Sequence, residues 1–179
     1  MPVWSMRSAL VSKLAAALVL SAGLMGGQAA ALTCVPMGPG DVYQIIAREE
    51  AADYVVLEGR LSFDPASLPQ SGQGAPKRPQ RISAYFTGLM LGERFFDQDV
   101  TGEILIESHC EAGQCGALED GGRYLLFARQ EEVDLVLPLD PCVSFAFSAA
   151  DGAAGDVILQ CHKGLDCPSE LPVPPVSFD

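Results

Sequence analysis

Basic side chains and histidines are scarce in this chain. There are 11 Lys and Arg against 23 Asp and Glu, only two histidines, His109 and His162, and the formal charge is −12 at neutral pH. Phosphate backbones repel a chain of this sign, and nucleic-acid binding must neutralise them with Lys and Arg, so no nucleic-acid partner is expected. Long apolar runs are missing beyond the first thirty residues, which excludes a helical membrane span. There is no G-x-S-x-G, and the GPGD at 38–41 and DGGR at 120–123 lack the strand-to-helix setting that gives phosphate-cradling loops their meaning.

What is present begins with a leader. Arg7 and Lys13 precede an apolar run from about Leu14 to Met25, and small residues end at Ala29-Ala30-Ala31. That is the pattern of a secretory signal peptide over residues 1–31, with cleavage after Ala29 or after Ala31. The expected location is secreted or periplasmic. Arg7 and Lys13 leave with the leader, so 11 basic residues become 9 against 23 acidic ones and the formal charge becomes −14. The remaining chain, about 148 residues, is enough for one domain around one core.

All six cysteines, Cys34, Cys110, Cys115, Cys142, Cys161 and Cys167, follow the leader. An even count in an exported chain points to disulfides. The simplest pairing is Cys34 to Cys142, Cys110 to Cys115 and Cys161 to Cys167. A zinc reading instead groups His109, Cys110, Cys115, Cys161, His162 and Cys167, more ligands than the four a structural site uses. Adjacent His and Cys side chains diverge, so both rarely reach one ion, and the expectation is disulfides with no metal and no other cofactor.

Periodicity organises the rest. Val42, Ile45 and Ile46 share one face of a short helix within 38–52, with Asp41 available as its cap. In 54–63 the residues Leu57, Gly59, Leu61 and Phe63 alternate as in a strand. Residues 64–80 carry four prolines and read as a mobile surface loop. A long strand follows through Ile82, Ala84, Phe86, Gly88 and Met90, where Gly88 suggests a bulge. Val100, Gly102, Ile104 and Ile106 mark a third strand, Tyr124 to Ala128 a fourth, and 133–142 a fifth that VSFAF extends or follows. A short helix is expected around Ala153 to His162, then a disordered proline-rich tail at 168–179. Five strands without βαβ alternation predict a mostly β fold, a five-stranded antiparallel barrel with one or two short helices.

At this point the chain resembles the netrin-like domains, the OB-type barrels shared with the tissue inhibitors of metalloproteinases. The resemblance is carried by Cys34, the helix and ADYVVLEGRL at 52–61, QCG at 114–116, GGRYLLFA at 121–128, and Cys142, in matching order along residues 34–142. It implies an OB-type domain over 32–167 whose N-terminal segment is tied down by a disulfide, and a pairing of Cys34 with Cys115 and Cys110 with Cys142. In the inhibitors the first mature residue is a cysteine that chelates the protease zinc, within a Cys-x-Cys pair. Here Leu32 and Thr33 precede Cys34, and position 36 is Pro36, so the wedge forms only after further trimming.

No catalytic arrangement emerges. The pairs Glu49-Glu50, Glu119-Asp120 and Glu131-Glu132 read as solvated faces, and paired cysteines leave no thiolate nucleophile. Tyr85, Phe95, Phe96 and Tyr124 are candidates to line a groove, as OB-type barrels bind through a sheet face. The expected function is a non-enzymatic binding module with an unknown protein or envelope ligand. The alternatives are a metalloproteinase-type inhibitor and a zinc-binding protein using the Cys/His clusters.

Overall fold

The computed structural model describes residues 34–49 and 52–169. The leader at 1–31, its cleavage sites, Glu50 and the tail beyond Ser169 lie outside the described residues. The elements in chain order are α1 (Pro39–Ile46), β1 (Tyr54–Phe63), a 3-10 turn (Pro65–Ser67), β2 (Gln80–Leu91), β3 (Phe96–Ser108), β4 (Cys110–Glu111), β5 (Gln114–Cys115), β6 (Arg123–Glu131), β7 (Asp134–Leu139), β8 (Ala146–Ser148) and α2 (Ala153–His162).

Five of these strands close on themselves in the order β1-β2-β3-β7-β6, with β6 pairing back to β1, while β8 adds to β6. This closed five-stranded barrel is of the OB type. Every pairing in it is antiparallel except β3 with β7, because the return arm of the β6–β7 hairpin comes to lie along β3 in the same direction. Among the described residues no helix is long and apolar enough to cross a membrane.

Strict alternation builds two cores from one set of strands. Inward residues Leu57, Leu61, Ile82, Phe86, Ile104, Ile106, Leu126 and Leu137 fill the barrel. Their neighbours on the other face of β1 and β6, Val56, Leu125 and Phe127, form a second core with Val42 of α1 and Ala154 and Ile158 of α2. Burying each large apolar side chain contributes roughly 1.5–3 kcal/mol, so strands that are apolar on both faces demand the helical cover. The run RYLLFA is apolar at consecutive positions for this reason.

Several local expectations change. In α1, Asp41 caps from the third helical position, its Oδ2 accepting the Gly38 amide at 3.0 Å. Val42 and Ile46 pack into the second core, while Ile45 is 50 % exposed, since the helix turns its Pro39–Val42 side to the protein. Gly88 is not a bulge: it pairs squarely with Gly59, and the register shift falls at Met90/Leu91. A side-chain carbon on either glycine would come within 2.6 Å of the other's Cα and under 3 Å of the Phe86 ring, so the two backbones need glycine to pass each other above that ring.

The 64–80 connection, read as a mobile loop, is fastened at three points. Leu68 is buried against the barrel core, the Gly72 amide donates to the Gly113 carbonyl at 2.8 Å, and Ser71 Oγ accepts the Cys115 amide at 3.0 Å. Those last two partners belong to the β4–β5 hairpin, a feature too short for periodicity to reveal. Pro168, at the start of the expected tail, has its carbonyl against Gly40 of α1.

Candidate ligand-binding face

On the outer face of β1, β2 and β3, past Glu58, whose carboxylate lies against Gly155 of α2, the side chains are of mixed chemistry and mostly exposed. Register places Thr87 between Arg60 and Thr101, Tyr85 between Ser62 and Glu103, and Leu89 between Glu58 and Asp99. Tyr85 is 54 % exposed and Leu89 36 %. A groove of about 480 Å3 lies between the Glu58–Arg60 and Thr87–Leu89 segments, with Arg123 on its wall. The Gly59–Gly88 pair brings the two backbones together behind it: the alternation that turns Leu57, Leu61 and Phe86 inward turns these glycines inward too, and the groove lies on the opposite side among Glu58, Arg60, Thr87 and Leu89.

Arg60 and Arg123 stand directly opposite each other across β1 and β6, and like charges so placed repel. The repulsion is relieved locally. Arg123 Nη2 donates to Glu58 Oε1 at 3.0 Å, and Arg60 Nη1 donates to the Gly121 carbonyl. Hydrogen-bond donors remain on both guanidinium groups toward the groove.

Of the four aromatic candidates, only Tyr85 lies on this face. Phe96 packs into the second core, Phe95 is exposed at the β2–β3 turn beneath Lys163, whose Nζ is 5.0 Å from its ring, and Tyr124 packs against the barrel core while its Oη donates to the Glu119 carbonyl at 3.0 Å.

At the other end of the barrel a charge lattice joins β2, β3 and β6. Arg81 donates from Nε to Glu107 Oε2 at 2.9 Å and from Nη2 to Glu131 Oε2 at 2.8 Å, and Arg129 Nη2 reaches both carboxylates. Burial pushes the Glu107 carboxyl up, but hydrogen bonds from Arg81, His109 and Arg129 together outweigh it and hold it below its ordinary value. The hydrogen bond from Arg129 does the same for Glu131. Carboxylates held ionised in this way make poor proton donors, and the lattice clamps strands.

The six cysteines form three disulfides: Cys34–Cys142, Cys110–Cys115 and Cys161–Cys167, with Cα atoms 5.0, 4.0 and 4.6 Å apart. This is the simplest pairing and departs from the one the netrin-like resemblance implies. Sulfurs joined to each other supply no thiolate to a metal or a substrate. Cys110 and Cys115 are cross-strand partners in the β4–β5 hairpin, and Cys161–Cys167 fastens the segment after α2. Both histidines are occupied as well. His109 Nε2 donates to Glu107 Oε1 at 3.3 Å. His162 Nε2 donates to the Glu93 carbonyl at 3.0 Å, which leaves Nδ1 to accept the Tyr43 hydroxyl at 2.8 Å. Burial raises the Tyr43 hydroxyl above its ordinary value. Asp120 Oδ1 accepts the Phe63 amide at 2.8 Å, so one member of the Glu119-Asp120 pair serves a turn.

A cavity of about 660 Å3 lies between residues 71–77 and the β4–β5 hairpin and is walled by small and amide side chains with Lys77. It offers surface but little chemistry. No family model, no curated protein and no solved structure matches this chain.

Proposed function

We propose that this chain is an exported, disulfide-stapled, netrin-like module that binds another molecule through the outer face of its barrel and carries out no reaction itself. One observation carries the reading: the groups most often recruited for catalysis are engaged in holding the fold. Six cysteines are spent in three bridges, both histidines in hydrogen bonds, and the largely enclosed carboxylate of Glu107 in an arginine lattice. The uncovered face with Tyr85, Leu89 and two arginines is where the surface chemistry remains free to act. Disulfide density and the leader pattern support export to an oxidising compartment.

A second reading, inhibition of a metalloproteinase through the N-terminal edge, has one observation in its favour. Val35, beside the Cys34–Cys142 bridge, is 77 % exposed, so trimming to Cys34 would present an amine next to an open edge. Mass spectrometry of the exported protein, alkylated without reductant, tests both. The binding module requires six protected cysteines and a mature N-terminus at Ala30 or Leu32. An N-terminus at Cys34 would favour the inhibitor, and alkylated thiols would overturn the stapled module.

A further inference from the structure

Half of β3 has a strand on one side only. It pairs with β2 from Phe96 to Ser108, but with β7 only from Leu105 to Ser108. Between Gln98 and Ile104, every second residue therefore turns its amide and carbonyl away from β2, and among the described residues no strand receives them. An unpaired row of this kind is a template for another strand.

The side chains along it are sorted by face. Asp99, Thr101 and Glu103 point outward and are exposed, and Asp97, at the register shift, is exposed as well. Val100 and Gly102 point toward the barrel mouth and are half-buried; a Cβ on Gly102 would meet nothing within 4 Å. Val100 and Leu135 pack on the rim of the barrel core. Val133, three residues before β7 joins β3, is 92 % exposed at the β6–β7 turn. The seam thus offers backbone groups, an apolar rim on one side and acid on the other.

A second copy of this chain fits badly. Antiparallel self-pairing about Thr101 would set Asp99 opposite Glu103 twice, and like charges directly opposed destabilise a sheet. A partner of opposite charge gains where the self-pair loses. We propose that the Asp97–Ile104 edge docks an extended segment of a partner protein, which adds as a strand beside β3 with Lys or Arg at alternate positions and apolar residues between them. The edge spans about 20–25 Å, enough for some seven residues. This rests on the reading of the chain as a binding module and adds the partner's chemistry.

The test uses the exported, oxidised protein, isotopically labelled for NMR, and three capped heptapeptides: alternating Lys and Val, alternating Glu and Val, and the Lys/Val sequence N-methylated at every amide. The Lys/Val peptide should shift amides from Asp97 to Ile104 and at Leu135, the Glu/Val peptide should not bind, and N-methylation should weaken binding by at least about tenfold, since main-chain hydrogen bonds supply the affinity. The variant D99K/E103K, altered only at exposed positions, should lose about tenfold as well. Binding that survives N-methylation would reduce the edge to a diffuse charge patch and overturn the proposal. So would shifts centred on Arg60 and Tyr85, or no binding at all. Any of these results with six protected cysteines sinks the edge alone, whereas free thiols would sink the module reading.

Discussion

The two halves of β3 share a strand, a partner and a register, yet live in different surroundings. From Leu105 to Ser108 the strand runs between β2 and β7, and Ile106 and Ser108 are fully buried. From Phe96 to Glu103 it runs beside β2 alone, and Asp97, Asp99, Thr101 and Glu103 face solvent. The difference teaches that closure of this barrel is local: it is completed by four residue pairs and then abandoned. Stability belongs to the closed half, and the open one is where we propose recognition.

The comparison is broken most severely by opening the closed half. The Cys34–Cys142 bridge joins the segment ahead of α1 to the turn after β7, across 108 residues. In the chain-entropy account a loop that long is worth about 5 kcal/mol, against about 2 kcal/mol for the five- and six-residue bridges. The double variant C34S/C142S should therefore lose about 5 kcal/mol in denaturant melts, and C161S/C167S much less. Within β3 itself, Ile106→Ala should cost about 3 kcal/mol, whereas Val100→Ala in the open half should cost under about 1 kcal/mol. Equal costs would mean the open half is enclosed by something the register does not show.

Acid sharpens the comparison further. Glu107 is held ionised between Arg81 and Arg129 at the closed end. Its folded-state pKa lies below the ordinary 4.5, so its contribution is fully present above that value and is lost as pH falls through the lower folded value. The part-exposed lattice is screened by solvent, which sets the loss on the order of 1 kcal/mol. Acid titration of stability should be flatter in Glu107→Gln than in the parent protein. The smallest effect is expected at Ser108, whose buried Oγ has no partner among the described residues. Removing an unsatisfied hydroxyl relieves its desolvation, so Ser108→Ala should be neutral or more stable by about 0.5–1 kcal/mol in the same melts.

Much of this architecture can be read from alternation. The inward rows Leu57-Leu61-Phe63, Ile82-Ala84-Phe86 and Ile104-Ile106 announce themselves because polar residues separate them, and α2 is legible over the very residues it occupies. Ile45 misleads because a two-turn helix has too few positions to define a face. Gly88 misleads because a glycine needed for close approach and one needed for a bulge look alike until the partner, Gly59, is known. The groove was invisible for the same reason: Arg60, Thr87 and Leu89 adjoin only once β1 and β2 are paired in register. Tyr85 could be nominated as an exposed aromatic, but Phe96 could not be told from it, since only tertiary placement under α2 buries one and leaves the other. The open edge depends on where β7 stops, and no local pattern in DLVLPL encodes that.

Amide hydrogen exchange along β3 tests the two-halves claim most directly. Amides from Leu105 to Ser108 should be slow at every position, and those from Asp97 to Glu103 should alternate, slow where they face β2 and fast where they face away. Uniform protection from Asp97 to Glu103 would contradict it, because it would require a second strand already lying along that edge.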